Sequence, residues 1–208
     1  RYTPYHMPHR TEVMGFMTFL HGDDRFYNNI FVQKWPADPV ITPHDSDDGH
    51  DEENREVGTH VWNGYPTYDQ WIAQFDMDTD TPNMSKLAPA HDSHLPVWSQ
   101  GNVYLGGAKA WEHEKDSLVD NTSAVNVELE MRDGKPVLST NVYDLIKGFT
   151  CAPVDTEVLG KAFEPEEYFE NPDGTPITFD RDYFGGHRGA AVIPGPFVSE
   201  EDGAQVLF

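Results

Sequence analysis

The 208 residues, 38% apolar and 12% aromatic, suffice for one domain or one and a half with a real core, and argue against a disordered chain. Formal charge is −22, from 36 acidic and 14 basic residues, a field that repels phosphate backbones and anionic lipid headgroups and so argues against nucleic acid and membrane as partners. A single cysteine, Cys151, excludes an intrachain disulfide and a multi-cysteine zinc site, and leaves the compartment, cytoplasmic or secreted, open.

Neutral sugars, cationic ligands and metal ions remain as partners, and the acidity also suits plain solubility in a salty medium. With 16 prolines and 17 glycines the chain reads as many short elements joined by loops, β rather than α. No apolar run approaches the roughly 18 to 20 residues of a membrane span. The N-terminus shows no basic region followed by a hydrophobic stretch, and it begins at Arg1 amid structured-looking sequence, as a fragment would.

Residues 1–21 carry Tyr2, Tyr5, His6, His9, Arg10 and Glu12 around Pro4 and Pro8, then an apolar run over 13–20. The prolines oppose a helix, so the segment reads as an extended loop leading to the first strand. Aromatic, imidazole and carboxylate groups crowded on a loop are what a held polar ligand requires. His6 and His9 could share a metal with Glu12 or His21, but no HExxH motif is present, and hydrogen bonding to a polar ligand is the preferred reading.

Gly22-Asp23-Asp24 reads as a tight turn into a short buried strand ending Asn29-Ile30-Phe31-Val32. The order asparagine, β-branched, aromatic, aliphatic returns in Asn102-Val103-Tyr104-Leu105, 73 positions later. Two such copies predict neighbouring rungs of a parallel β-helix, with asparagine amides hydrogen-bonded along its axis. The opposing reading is a chance match of four residues, since about three repeats are normally needed for stability.

Residues 33–98 form one long excursion between the two copies. An acidic run spans 45–53, and Tyr68, Trp71, Ile72 and Phe75 fall at helical spacing, predicting a short helix. The run resembles a calcium loop only loosely, because Gly49 comes one position early for an EF-hand; a solvated loop is the favoured reading. Val125 to Met131 alternates apolar with polar, meets Asp133-Gly134, and continues over 137–142, which predicts a β-hairpin. Its apolar face should cover the end or flank of the stacked rungs. Residues 150–197 have little periodicity but many rings, and should run over the body anchored ring by ring.

Carboxylates beside aromatic platforms suggest glycoside chemistry, with Glu12, Asp23 and Asp24 as candidates. Asp23 and Asp24, however, sit where a turn uses aspartate to bond its own backbone, and Arg25 stands ready to neutralise them. No G-x-S-x-G and no glycine-rich phosphate loop occurs, and Cys151 lies in an apolar setting that suits packing.

Thr3-Pro4-Tyr5-His6 within residues 1–12, the stretches 22–32, 95–104 and 159–162, Phe169-Glu170-Asn171-Pro172-Asp173-Gly174 and Asp182-Tyr183-Phe184-Gly185 together, in that order, resemble the C-terminal third of a known family. It is the right-handed β-helix β-xylosidases of glycoside hydrolase family 120. The resemblance spans nearly the whole chain except residues 36–90. It implies an all-β fold: C-terminal β-helix rungs over 1–120 with an acidic insertion at 36–90, then a hairpin and tail over 121–208 packing on them.

The implied activity is a retaining exo-glycosidase that releases xylose from xylooligosaccharides and needs no cofactor. Its nucleophile and acid/base lie upstream of the Thr-Pro-Tyr segment in that family, so no catalytic residue maps onto this sequence and the chain alone should be inactive. His6, His9, Glu12, Asp24 and Arg25 are the expected sugar contacts. The expected partners are a xylooligosaccharide and the N-terminal remainder of the enzyme, with a homo-oligomer left open. The competing reading is a free-standing carbohydrate-binding or capping module using Tyr5, Trp62 and Trp98 as platforms. A β-helix enzyme acting on acidic polysaccharide fits poorly with the net charge.

Overall fold

The structure, a computed structural model, describes residues 22–34, 56–73, 94–162, 167–198 and 203–207. Short strands dominate the described residues and helices are single turns or little more, an all-β architecture. The two asparagine copies lie one over the other. Strand β1 (Asp24–Tyr27) pairs in parallel with β3 (Val97–Gln100), and β2 (Ile30–Val32) with β4 (Val103–Leu105), in the register Ile30 to Val103. Asn29 Nδ2 donates to Asn102 Oδ1 at 3.0 Å, the amide contact that the repeat predicts, and the rings of Phe31 and Tyr104 stack with centroids 5.2 Å apart.

A third parallel strand, β5 (Leu118–Asp120), pairs with β4 through Val103 to Leu118. The sequence hid it because Ser117 stands in the asparagine position and Val119 in the aromatic one. What repeats in all three is the corner just before the strand. Asn28, Gly101 and Asp116 occupy that corner with φ of 58°, 71° and 49°. Left-handed backbone is open mainly to glycine, asparagine and aspartate, so residue type fixes the bend. Gly101 is the constrained member: a Cβ there would run into the Asn28 amide oxygen and come within 3.0 Å of Cys151 Sγ.

Within the excursion, residues 56–60 return beside the stack. Gly58 bridges Lys109 in parallel, and Thr59 N donates to Lys109 O at 3.0 Å. A 3-10 turn at His60–Trp62 leads to helix α1 (Tyr68–Ile72), inside the predicted helical stretch. Thr67 and Gln70 cap it reciprocally, Gln70 N donating to Thr67 Oγ1 and Thr67 N to Gln70 Oε1. The acidic run at 45–53, and the calcium reading with it, lies outside the described residues.

The hairpin forms as its pattern requires. β6 (Val127–Arg132) and β7 (Lys135–Thr140) join through Asp133-Gly134, both at positive φ, 51° and 76°, as a type I′ turn demands. It is not alone: β8 (Gly203–Val206) adds to β7 antiparallel and makes a three-stranded sheet, a strand too short and too small-chained to announce itself. Val127, Leu138 and Leu207 pack on a core of Val103, Leu105, Val142, Tyr143, Ile146 and Phe197, where α2 (Val142–Leu145) supplies two members. Burying each such side chain contributes about 1.5–3 kcal/mol. The far half of the same face departs from expectation: Leu129 is 66% and Met131 67% exposed on β6, the outer strand of the sheet.

The tail also differs in how it is held. Phe197 is buried against Tyr143 and Phe184, at centroid distances of 5.9 and 5.4 Å, but Phe179, Tyr183 and Phe184 stay about half exposed. Backbone does the rest: antiparallel bridges pair Cys151 with Val192, Asp155 with Thr178 and Arg181 with His187. A single turn, α3 (Thr156–Leu159), starts where Asp155 accepts from Val158 N at 2.9 Å. Among the described residues no helix is long and apolar enough to cross a membrane.

Candidate functional site

In the β1–β3 ladder the two faces separate by the two-residue period of a strand. Val97 and Ser99 are buried, so their partners Asp24 and Phe26 share the inner face. Arg25, Tyr27, Trp98 and Gln100 share the outer one. On that outer face a cleft of about 290 Å3 opens between Trp98, Tyr68, Tyr27, Trp111, His113 and Lys115. Tyr68, at the start of α1, stacks toward Trp98 with centroids 6.4 Å apart, and Trp111 meets His113 edge to face at 5.1 Å. Trp111 Nε1 is buried without a hydrogen-bond partner among the described residues, beside the cleft.

Beneath the cleft a polar network fixes the floor. Asn102 Nδ2 donates to Phe26 O, Ser99 Oγ and Glu114 Oε1 at 2.8, 3.0 and 2.9 Å. Glu114 Oε2 accepts from Tyr104 at 2.9 Å and from Ser99 Oγ. Tyr104 and Thr59 hydroxyls lie 2.7 Å apart, and Thr59 Oγ1 takes the Trp111 amide at 2.8 Å. Burial, then the Glu114 charge, pushes the Tyr104 phenol far up, so it stays a donor. The asparagine that builds the stack thus also aligns Trp111 and the strand bearing Trp98.

Of the expected contacts, His6, His9 and Glu12 lie outside the described residues, as does Tyr5. Asp24 and Arg25 are adjacent on β1 but on opposite faces. Arg25 is a staple. Its Nε donates to Leu159 O at 2.7 Å, one terminal nitrogen to Asp23 Oδ1 at 2.7 Å, and the other to Lys161 O at 2.6 Å. The guanidinium also lies 4.2 Å from the Trp98 ring and 4.7 Å from Phe169. Trp62 packs between Phe26 and Tyr65, whereas Trp98 faces the cleft.

Trp111, His113 and Lys115 were not singled out by sequence, although their alternate positions hint at one shared face, and Tyr68 was read only as part of a helical packing stripe. Cys151 behaves as expected of a packing residue. Its Sγ donates to Gly101 O at 3.2 Å, and burial, with the Asp116 and Glu114 charges, pushes its pKa to about 11.

An aromatic wall with scattered polar groups suits a neutral sugar ring, which offers an apolar face and a rim of hydroxyls. Asp69 is the one carboxylate among the described residues lining the cleft, so these residues by themselves supply no acid pair. A stack of parallel strands carrying an aromatic cleft is the class this geometry defines. No family model and no curated protein matches the chain. One solved structure, "The complex structure of XylC with xylose", is similar to it over 96% of this chain, with TM-score 0.67 and 26% identity. The chain spans 28% of that protein's length.

Proposed function

We propose that the chain is the C-terminal part of a retaining, β-xylosidase-like exo-glycoside hydrolase. Its three stacked strands are the last rungs of a right-handed parallel β-helix, over residues 1–120, with residues 121–208 packing on them as hairpin and tail. The observation that carries the reading is the likeness to a xylose complex over nearly all of this chain but little more than a quarter of the other. The two reacting carboxylates belong to upstream polypeptide, about 5–5.5 Å apart as retention requires. The Trp98 cleft, with His6, His9 and Glu12 as further contacts, holds the xylooligosaccharide; Asp24 on the inner face and Arg25, committed to Asp23, Leu159 and Lys161, are not among them.

The test is to express the chain with the polypeptide encoded before Arg1, or to combine the two parts, and assay an aryl β-xyloside. Release of xylose with retained configuration is expected from the complex and none from the chain alone. A stably associated complex without activity overturns the reading. The single carboxylate in the cleft favours one alternative, a carbohydrate-binding or capping module. Such a module would stay monomeric and unfold cooperatively alone, while a severed stack would aggregate or seek its partner.

A further inference from the structure

Next to the aromatic cleft lies a second one, of about 280 Å3, and Tyr27 lines both. Its wall carries Arg25, Arg181 and Arg188 together with Phe179, and among the described residues no carboxylate lines it. In a chain with a formal charge of −22 this is a local gathering of cations. Arg188 is aimed by three backbone carbonyls, those of Arg181, Ile193 and Gly195 at 3.2, 2.9 and 2.6 Å. Neutral carbonyls orient a guanidinium without cancelling its charge. Arg181 is exposed and gives one hydrogen bond, to Gly185 O at 3.0 Å, which leaves most of its donors uncommitted.

The nearby acids are engaged. Asp23 is paired with Arg25 and offsets its charge, so the charge of the cleft rests on Arg181 and Arg188. Asp182 accepts the amides of Phe184, Gly186 and Val198, and Asp180 lies 3.8 Å from His187 Nδ1. Charges more than about 8 Å away are screened at physiological salt, so the cluster and not the net charge governs this cleft. Phe179, 55% exposed, adds a ring against which a pyranose can lie.

We propose that this cleft is an anion subsite in which Arg181 and Arg188 take the carboxylate of a uronic-acid unit attached to, or neighbouring, the sugar in the Trp98 cleft. The carboxylate is a planar acceptor that matches the guanidinium fork. The inference rests on the reading of the Trp98 cleft as a sugar site, and it narrows the substrate to acid-decorated xylooligosaccharides.

Titration of the whole chain, followed by ligand-observed NMR, tests it with xylobiose, glucuronate-substituted xylobiose, free glucuronate and inorganic phosphate. The substituted sugar should bind about ten-fold more tightly than xylobiose, a preference that salt weakens. Arg181→Gln, at an exposed position, should abolish that preference and leave xylobiose affinity unchanged; Arg188→Gln with an unaltered circular dichroism spectrum should do the same. Equal affinity for the neutral and substituted sugars, survival of the preference in Arg181→Gln, or phosphate binding as tightly as glucuronate overturns the proposal. If glucuronate binds and loses affinity in Arg181→Gln while xylobiose never binds, the anion subsite stands and the xylosidase reading falls.

Discussion

The strands stacked around Asn102 and the tail over residues 150–198 are held by different means. In the stack, each contact is made between equivalent positions of successive strands: asparagine on asparagine, ring on ring, left-handed corner on left-handed corner. In the tail, isolated bridges alternate with long-range side-chain donors, Arg25 reaching across 134 positions to Leu159 O. Repetition makes the stack cooperative, since every rung completes its neighbour's hydrogen bonds. The tail is a set of separate clasps, each of which opens alone.

The difference is broken most severely at Asn102. It is fully buried, and Asn102→Ala strands Phe26 O, Glu114, Ser99 and the Asn29 amide at once. A loss of about 3 kcal/mol or more is expected, because each orphaned buried group costs about 1–3 kcal/mol. Urea unfolding should show it as a global drop in midpoint. A loss below about 1 kcal/mol, the worth of one ordinary hydrogen bond, would mean that the network is not what joins the rungs.

Arg25→Gln sharpens the contrast from the other side. The side chain is 7% exposed, and its loss releases the carbonyls of Leu159 and Lys161 and the rings of Trp98 and Phe169. About 1–2 kcal/mol is expected, concentrated in the tail. Amide exchange should rise across residues 156–171 while residues 97–105 keep their protection. A uniform rise in both would show that tail and stack unfold as one unit.

The smallest effect comes with acid. Asp120 ends β5, and its carboxyl is held far below the ordinary range by the Ser123 hydroxyl first, then by the Thr122 and Ser123 amides and the Thr122 hydroxyl. Asp173 in the tail is lowered less, chiefly by the Thr175 hydroxyl and then its amide. Because both titrate lower folded than unfolded, their contribution is complete above about pH 4 and fades as pH falls through the folded values. The amide of Thr175 should therefore shift before those of Thr122 and Ser123 in an acid titration followed by NMR. The reverse order would contradict the hydrogen-bond assignment.

Much of the stack was legible in the chain, for a reason these experiments touch. The asparagine copies, the Asp133-Gly134 turn and the alternation around it are properties of neighbouring residues, set by φ preference and by the two-residue strand period. The cleft was half legible. Trp98 could be nominated as an aromatic platform, but nothing local says that Tyr68 and Trp111, on separate segments, complete its wall.

By itself, then, the sequence determined that strands would stack in parallel through Asn29 and Asn102, that a hairpin would form at Asp133-Gly134, and that the net charge would be strongly negative. Only the tertiary structure decided that Leu118 would supply a third strand, that residues 203–206 would return to β7, and that three arginines would line one cleft. The physical reason is range. Backbone preference and patterning act over a few residues, whereas these arrangements depend on where distant segments come back, and that is fixed by packing and by donors such as Arg25 and Arg188.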